Sequence, residues 1–145
     1  MHTQIYLFFD GRCQEALDFY KAKLGIEVEM LMRFKDAPAD PNEPADPNCG
    51  QPPANMDAVM HSSFKLGGQS IMASDGYALG KPEFKGFALS LAAKTEDEAE
   101  KLFAAMSSEG GKVTQPLIKT FFSPKFGMLE DKFGVNWMVV VEQKP

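Results

Sequence analysis

Gln4-Ile5-Tyr6-Leu7-Phe8-Phe9 opens the chain as an apolar, aromatic run, and Asp10-Gly11 closes it with a turn or helix-start signal. The run reads as a buried strand. Directly after it, Cys13, Ala16, Leu17, Tyr20 and Leu24 recur at i, i+3, i+4, i+7 and i+11, one stripe of an amphipathic helix that Gly25 terminates. Strand character returns over residues 26–34, where Ile26, Val28, Met30 and Met32 alternate with Glu27, Glu29, Leu31 and Arg33. Further on, residues 58–66 and 69–73 flank Gly67-Gly68, a two-residue loop of the kind that primed hairpin turns require. Together these signals predict a βαβββ unit.

The same order then recurs. Residues 84–92 read as a strand, and Thr95 with Glu98 three residues later forms a capping box for a helix whose buried stripe is Ala99, Leu102, Phe103 and Met106. Gly110-Gly111 ends that helix. Residues 112–117, 126–130 and 135–142 supply three further strands, with Asp131-Lys132-Phe133-Gly134 as the turn between the last two. The expected class is α+β, one domain over residues 1–145 with module one at 1–75, a connector at 76–83 and module two at 84–145. Each module has a single helix for a sheet with two faces, so the second face still needs cover. Two sheets facing each other would meet that need and leave a cleft for a small molecule. Residues 36–55 hold Pro38, Pro41, Pro44, Pro47, Pro52 and Pro53, a composition that sustains neither ladder nor helix. Long loops of this kind are lids or flexible segments, and the composition favours the latter.

A chain of 145 residues with 44% hydrophobic and 24% charged residues is sized and composed to fold alone around one core. Its formal net charge of -5 repels a phosphate backbone, and the 15 Lys and Arg are scattered, which speaks against nucleic acid as a partner. No apolar run approaches the roughly 20 residues of a membrane span, and the N-terminus lacks a signal-peptide pattern. A cytoplasmic location without a membrane partner is the resulting expectation. Cys13 and Cys49 form neither a disulfide framework nor a zinc knuckle, and Walker loops, serine elbows and H-E-x-x-H are absent from the sequence.

Tyr6-Leu7-Phe8-Phe9-Asp10-Gly11, Glu15-Ala16, Phe19-Tyr20 and Leu24-Gly25 resemble the opening of PhnB-like proteins in the glyoxalase, or vicinal oxygen chelate, superfamily. The likeness continues through His61-Ser62-Ser63-Phe64-Lys65-Leu66-Gly67-Gly68 and Ile71-Met72-Ala73-Ser74-Asp75. It also covers Phe126-Gly127-Met128 and the stretch from Asp131 through Gly134-Val135-Asn136-Trp137-Met138. The resemblance implies two βαβββ modules forming a U-shaped sheet of the glyoxalase/bleomycin-resistance type, commonly completed in a homodimer that buries sheet edges. It leaves the reaction open, since lyases, isomerases, dioxygenases and metal-free drug-binding proteins share that frame.

The family's metal site draws a His from the opening strand of a module and a Glu from its closing strand. Here the opening strands carry no His, His2 lies too early, and the position four residues after Gly134 is Met138, a poor donor for a hard cation. Residues 70–74 likewise offer no carboxylate before Asp75. The expectation is therefore no metal and no cofactor.

His61 is the one well-placed imidazole, on a strand face with Ser63 and Lys65 and opposite Phe64 and Leu66. Two readings stand for it: a hydrogen-bonded structural His, or a ligand or general base, with Asp75 or Glu130 as conceivable companions. Tyr6, Phe121, Phe122 and Trp137 form either an aromatic wall for a flat ligand or part of the core. Cys13, flanked on its stripe by Ala16 and Leu17, reads as core. Some relatives are labelled demethylubiquinone methyltransferases, yet the glycine pairs here follow a helix or join a hairpin, rather than link a parallel strand to a helix as a nucleotide-type cofactor requires. The expected function is thus binding of a small molecule by Tyr6, His61, Ser63, Phe122 and Trp137 without the usual metal. The alternative is a lyase, isomerase or dioxygenase-like enzyme with His61 as its catalytic residue, and a third reading is a dimeric regulatory module.

Overall fold

A computed structural model describes residues 1–36, 56–76 and 81–143. All of the Pro-rich loop except Asp36, and with it Cys49, lies outside the described residues, as does the connector segment 77–80. The chain gathers into two compact units, Met1–Pro82 and Glu83–Pro145.

In the first unit, strand β1 (Ile5–Phe8) leads into helix α1 (Cys13–Leu24), followed by β2 (Glu27–Arg33), a short 3-10 turn (Phe34–Asp36), β3 (Val59–Leu66) and β4 (Gln69–Ser74). The strands form one mixed sheet in the order β1-β4-β3-β2, with β1 parallel to β4 and the other pairs antiparallel. Gly67 and Gly68 both adopt positive φ, 57° and 84°, and join Leu66 to Gln69 as a two-residue primed turn. Helix α1 covers one face of the sheet through Cys13, Ala16, Leu17 and Tyr20, all buried, with the Tyr20 ring 6.2 Å from that of Phe64. Gly25 closes the helix in the left-handed conformation, its N–H donating to the Lys21 carbonyl.

Strand β2 departs from the regular alternation its sequence suggests. Val28 pairs with Phe64 but Met30 pairs with Ser63, so Glu29 is an extra residue in a β-bulge. The bulge splits the expected stripe: Val28 stays with the helix-side residues, and Met30 and Met32 turn to the other face.

The second unit repeats the order with β5 (Leu89–Ala93), α2 (Glu96–Met106), β6 (Lys112–Ile118), β7 (Phe126–Glu130) and β8 (Asn136–Val141). Its strand order, β5-β8-β7-β6 with β5 parallel to β8, is that of the first sheet strand for strand. Ala93, Ala99, Val139 and Val141 form its core under α2, with Leu91, Leu102, Phe103 and Leu117 packed around them. The expected strand over 84–92 is shorter, because the ladder with β8 starts only at Leu89 opposite Trp137. Before that, Gly86 turns the chain with φ 82°, and the Phe84 carbonyl accepts from Asn136 Nδ2 at 2.9 Å instead of joining a ladder. The helix also ends before Gly110-Gly111. Ser107 and Ser108 hydroxyls donate to the Phe103 and Ala105 carbonyls, competing with a further helical turn. Among the described residues no helix is long and apolar enough to cross a membrane.

Candidate functional site

Parity along the strands decides which side chains share a face, and the ladder registers then set them side by side. On β3, Ser62 and Phe64 point to the helix side, so His61 and Ser63 occupy the opposite, helix-free face. Tyr6 of β1 pairs with Met72 of β4, Met72 with Ser63 of β3, and Ser63 with Met30 of β2. One row across the sheet is therefore Tyr6, Met72, Ser63, Met30, and Met32 lies next to it opposite His61. Phe8, two residues from Tyr6 on the same face, is 58% exposed.

His61 and Tyr6 interact directly. The Tyr6 hydroxyl and His61 Nδ1 share a hydrogen bond of 2.9 Å, the two rings stack at 5.5 Å, and the Phe8 ring lies 4.8 Å from Tyr6. Since β4 separates the strands that carry them, the two side chains together bridge β4 to make this bond. The arrangement is a ring cluster flanked by thioethers and the Ser63 hydroxyl, with an imidazole and a phenol as its polar groups.

Asp75, a conceivable companion of His61, has a different task. Its Oδ1 accepts from the N–H groups of Cys13 at 2.7 Å and Gly11 at 3.2 Å, and its Oδ2 accepts from Val59 N–H at 2.7 Å. Arg12, at the N-cap of α1, makes no side-chain cap, so the carboxylate at the end of β4 caps the helix from a distance. Cys13 is fully buried beside Ser62, and desolvation pushes its thiol up to about 12, as befits an inert core residue.

The remaining expected site residues belong to the second unit and part company there. Trp137 is 1% exposed, on the side of β8 that carries Val139 and Val141, and its indole N–H donates to Asp131 Oδ2 at 2.8 Å. Asp131 Oδ1 in turn accepts from the N–H groups of Phe133 and Val135, so this carboxylate fixes the turn between β7 and β8. Trp137 is thus a core residue that braces a turn. Phe122 sits in the loop between β6 and β7, 43% exposed, edge-on to Phe126 at 5.1 Å and to the still more exposed Phe121 at 5.2 Å.

Met138 pairs with Ser90 of the opening strand β5, and Met72 pairs with Tyr6 of the opening strand β1. Two thioethers, a hydroxyl and a phenol do not match the imidazole and carboxylate donors that a divalent hard or borderline cation takes. Glu130 lies in β7 on the face of Met128. Among the described residues no three His, Cys, Asp or Glu side chains come together as a metal-binding group.

The reading from sequence missed Phe8, Met30, Met32 and Met72 as members of the face. Strand parity was available for Phe8 and Met72, but the bulge at Glu29 and the cross-strand register were not.

The family model described as 3-demethylubiquinone-9 3-methyltransferase matches residues 2–140. Protein YjdN of Escherichia coli (strain K12) is 34% identical over 145 residues, covering 97% of this chain and 95% of that protein. Protein PA1353 from Pseudomonas aeruginosa has 40% identity and a TM-score of 0.77, covering 99% of this chain and 100% of its own. A Bacillus cereus PhnB protein has 29% identity and a TM-score of 0.75, covering 97% and 99%. The fold alone extends to a glyoxylase/bleomycin resistance protein/dioxygenase domain from Frankia sp. EAN1pec, at 14% identity and a TM-score of 0.62 over 99% of this chain and 93% of that one. The chain belongs to the PhnB-like family described as 3-demethylubiquinone-9 3-methyltransferase, built on the glyoxalase/bleomycin-resistance/dioxygenase fold.

Proposed function

We propose that this protein binds a small apolar or aromatic molecule against the helix-free face of its first sheet, without the divalent metal of its superfamily. One observation carries the reading: Tyr6, Phe8 and His61 form a ring cluster on that face, while Met138, at the position where the resemblance expects a carboxylate, pairs with Ser90. An apolar surface with a few placed polar groups suits a ligand that stacks on Tyr6 and Phe8 and hydrogen-bonds to His61 or Ser63. Phe122, exposed on its loop, is a second candidate contact.

Methyl transfer, which the family description names, finds little support in the chain. Its glycine pairs join a hairpin and follow a helix, and neither forms the strand-to-helix turn that cradles a nucleotide-type cofactor.

The test uses a fluorescent aromatic probe, anilinonaphthalene sulfonate, with protein kept in chelator. Binding of the probe is expected, and Tyr6→Ala is expected to weaken it about tenfold, the loss of a stacking anchor worth about 1 kcal/mol or more. Stoichiometric tightly held divalent metal in protein purified without chelator would overturn the proposal.

The Tyr6–His61 hydrogen bond favours one other reading, a lyase or isomerase in which this pair moves a proton. His61→Ala would then abolish a turnover that the parent chain shows, and unchanged kinetics would dismiss it.

A further inference from the structure

We propose that the helix-free face of the first sheet is a site for a soft monovalent cation of the Cu(I) or Ag(I) class, with His61 and the thioethers of Met72, Met30 and Met32 as donors. Nothing in this proposal rests on the small-molecule reading.

Its basis is the placement of sulfur around one imidazole. Met32 lies directly opposite His61, and Met30 and Met72 flank Ser63, the next residue of β3 on that face. Directly opposed Cβ atoms in a sheet stand about 5 Å apart and diagonal ones about 7–8 Å, within reach of flexible methionine side chains. The bulge at Glu29 makes this possible: without it, Met30 and Met32 would lie on the helix side with Val28. None of these three methionines is fully buried, as Met106 is, and Met30 is 41% exposed.

The imidazole is set up as a ligand. A metal-bound histidine characteristically has its second nitrogen engaged by a hydrogen-bond partner that fixes ring and tautomer. The Tyr6 hydroxyl engages Nδ1 at 2.9 Å, and no described residue bonds to Nε2. The bond between Tyr6 and His61 spans β4, the strand that carries Met72. Hard cations are disfavoured here, because Asp75, the acidic residue nearest along β4, is committed to three backbone N–H groups. Thioethers with one imidazole select for a soft ion.

The experiment uses the full chain carrying Cys49→Ser, which removes a competing thiolate; Cys13 is fully buried. Ag(I) is titrated calorimetrically in chloride-free buffer, and Cu(I) is titrated under nitrogen against a chromophoric chelator. One ion per chain is expected, with His61→Ala and Met72→Leu each weakening it about tenfold or more. Met138→Leu, at the equivalent register position of the second sheet, is expected to leave affinity within about twofold. Met72→Leu nearly conserves volume, so its effect reads on the sulfur even where His61→Ala perturbs folding. Absence of binding to the Cys49→Ser chain overturns the proposal, as does affinity unchanged in both variants. Probe binding is measured in chelator, so either reading can fail while the other stands.

Discussion

One buried carboxylate holds together segments that are far apart in the chain. Asp75 ties the β1–α1 turn, the start of α1 and the start of β3 through hydrogen bonds of 2.7–3.2 Å. Replacing it by Ala strands buried N–H donors, and a loss of about 3 kcal/mol is expected in urea unfolding, since charge-assisted bonds are worth roughly 1.5–3 kcal/mol each and are not additive. Cys13 gives a pH signature. Its thiol ordinarily titrates near 9.0 and is pushed up to about 12 by burial, so between these values the unfolded chain loses a proton that the folded chain keeps. Stability therefore falls as pH rises through that window, and the urea midpoint should drop more between about pH 8 and pH 10 than it does in Cys13→Ala. The helical stripe in the sequence was enough to place Cys13 in the core. It could not reveal Asp75 as a cap, because the donors lie 62 and 64 residues away in the chain.

The helices show how differently two elements of one pattern are secured. Helix α2 is capped locally, with Thr95 Oγ1 accepting from Glu98 N–H at 3.1 Å, and its start was legible from two residues. Glu98 completes the exchange one residue earlier than in the standard box, accepting from Lys94 N–H. Helix α1 depends on the distant Asp75 instead. Among the strands, β6 tolerates Pro116 because it is an edge strand with register shifts on both sides of Gln115. Its partner β7 needs a glycine where α2 packs. A Cβ on Gly127 would lie 2.7 Å from Phe103 Cε2 and 3.0 Å from the Gln115 carbonyl. Gly127→Ala is accordingly expected to destabilise by about 1–3 kcal/mol through overpacking, seen as a lowered melting temperature. The bulge in β2 was invisible beforehand, since the alternation of Ile26 to Met32 reads as regular and only pairing with β3 shows the break.

At the scale of the molecule, two units of identical strand order end in edge strands that carry exposed apolar side chains, Val28 and Met30 on β2, Val113 and Ile118 on β6. Such edges invite pairing, and we propose that they are covered in a homodimer. Light scattering at micromolar concentration should give twice the 16.0 kDa chain mass; a monomer would refute this. By itself the sequence determined the α+β class, the duplicated βαβββ order, the start of α2, the Gly67-Gly68 hairpin and the family, because these are written in periodicities and short motifs that act within one element. It also placed Met138 where the resemblance expects a carboxylate, because that follows from residue identity at a motif position. Tertiary structure decided which side chains meet: Tyr6 with His61, Trp137 with Asp131, and Met30, Met32 and Met72 around one imidazole. Those meetings depend on strand register and on one extra residue in a strand, quantities fixed by pairing between segments and carried by no segment alone.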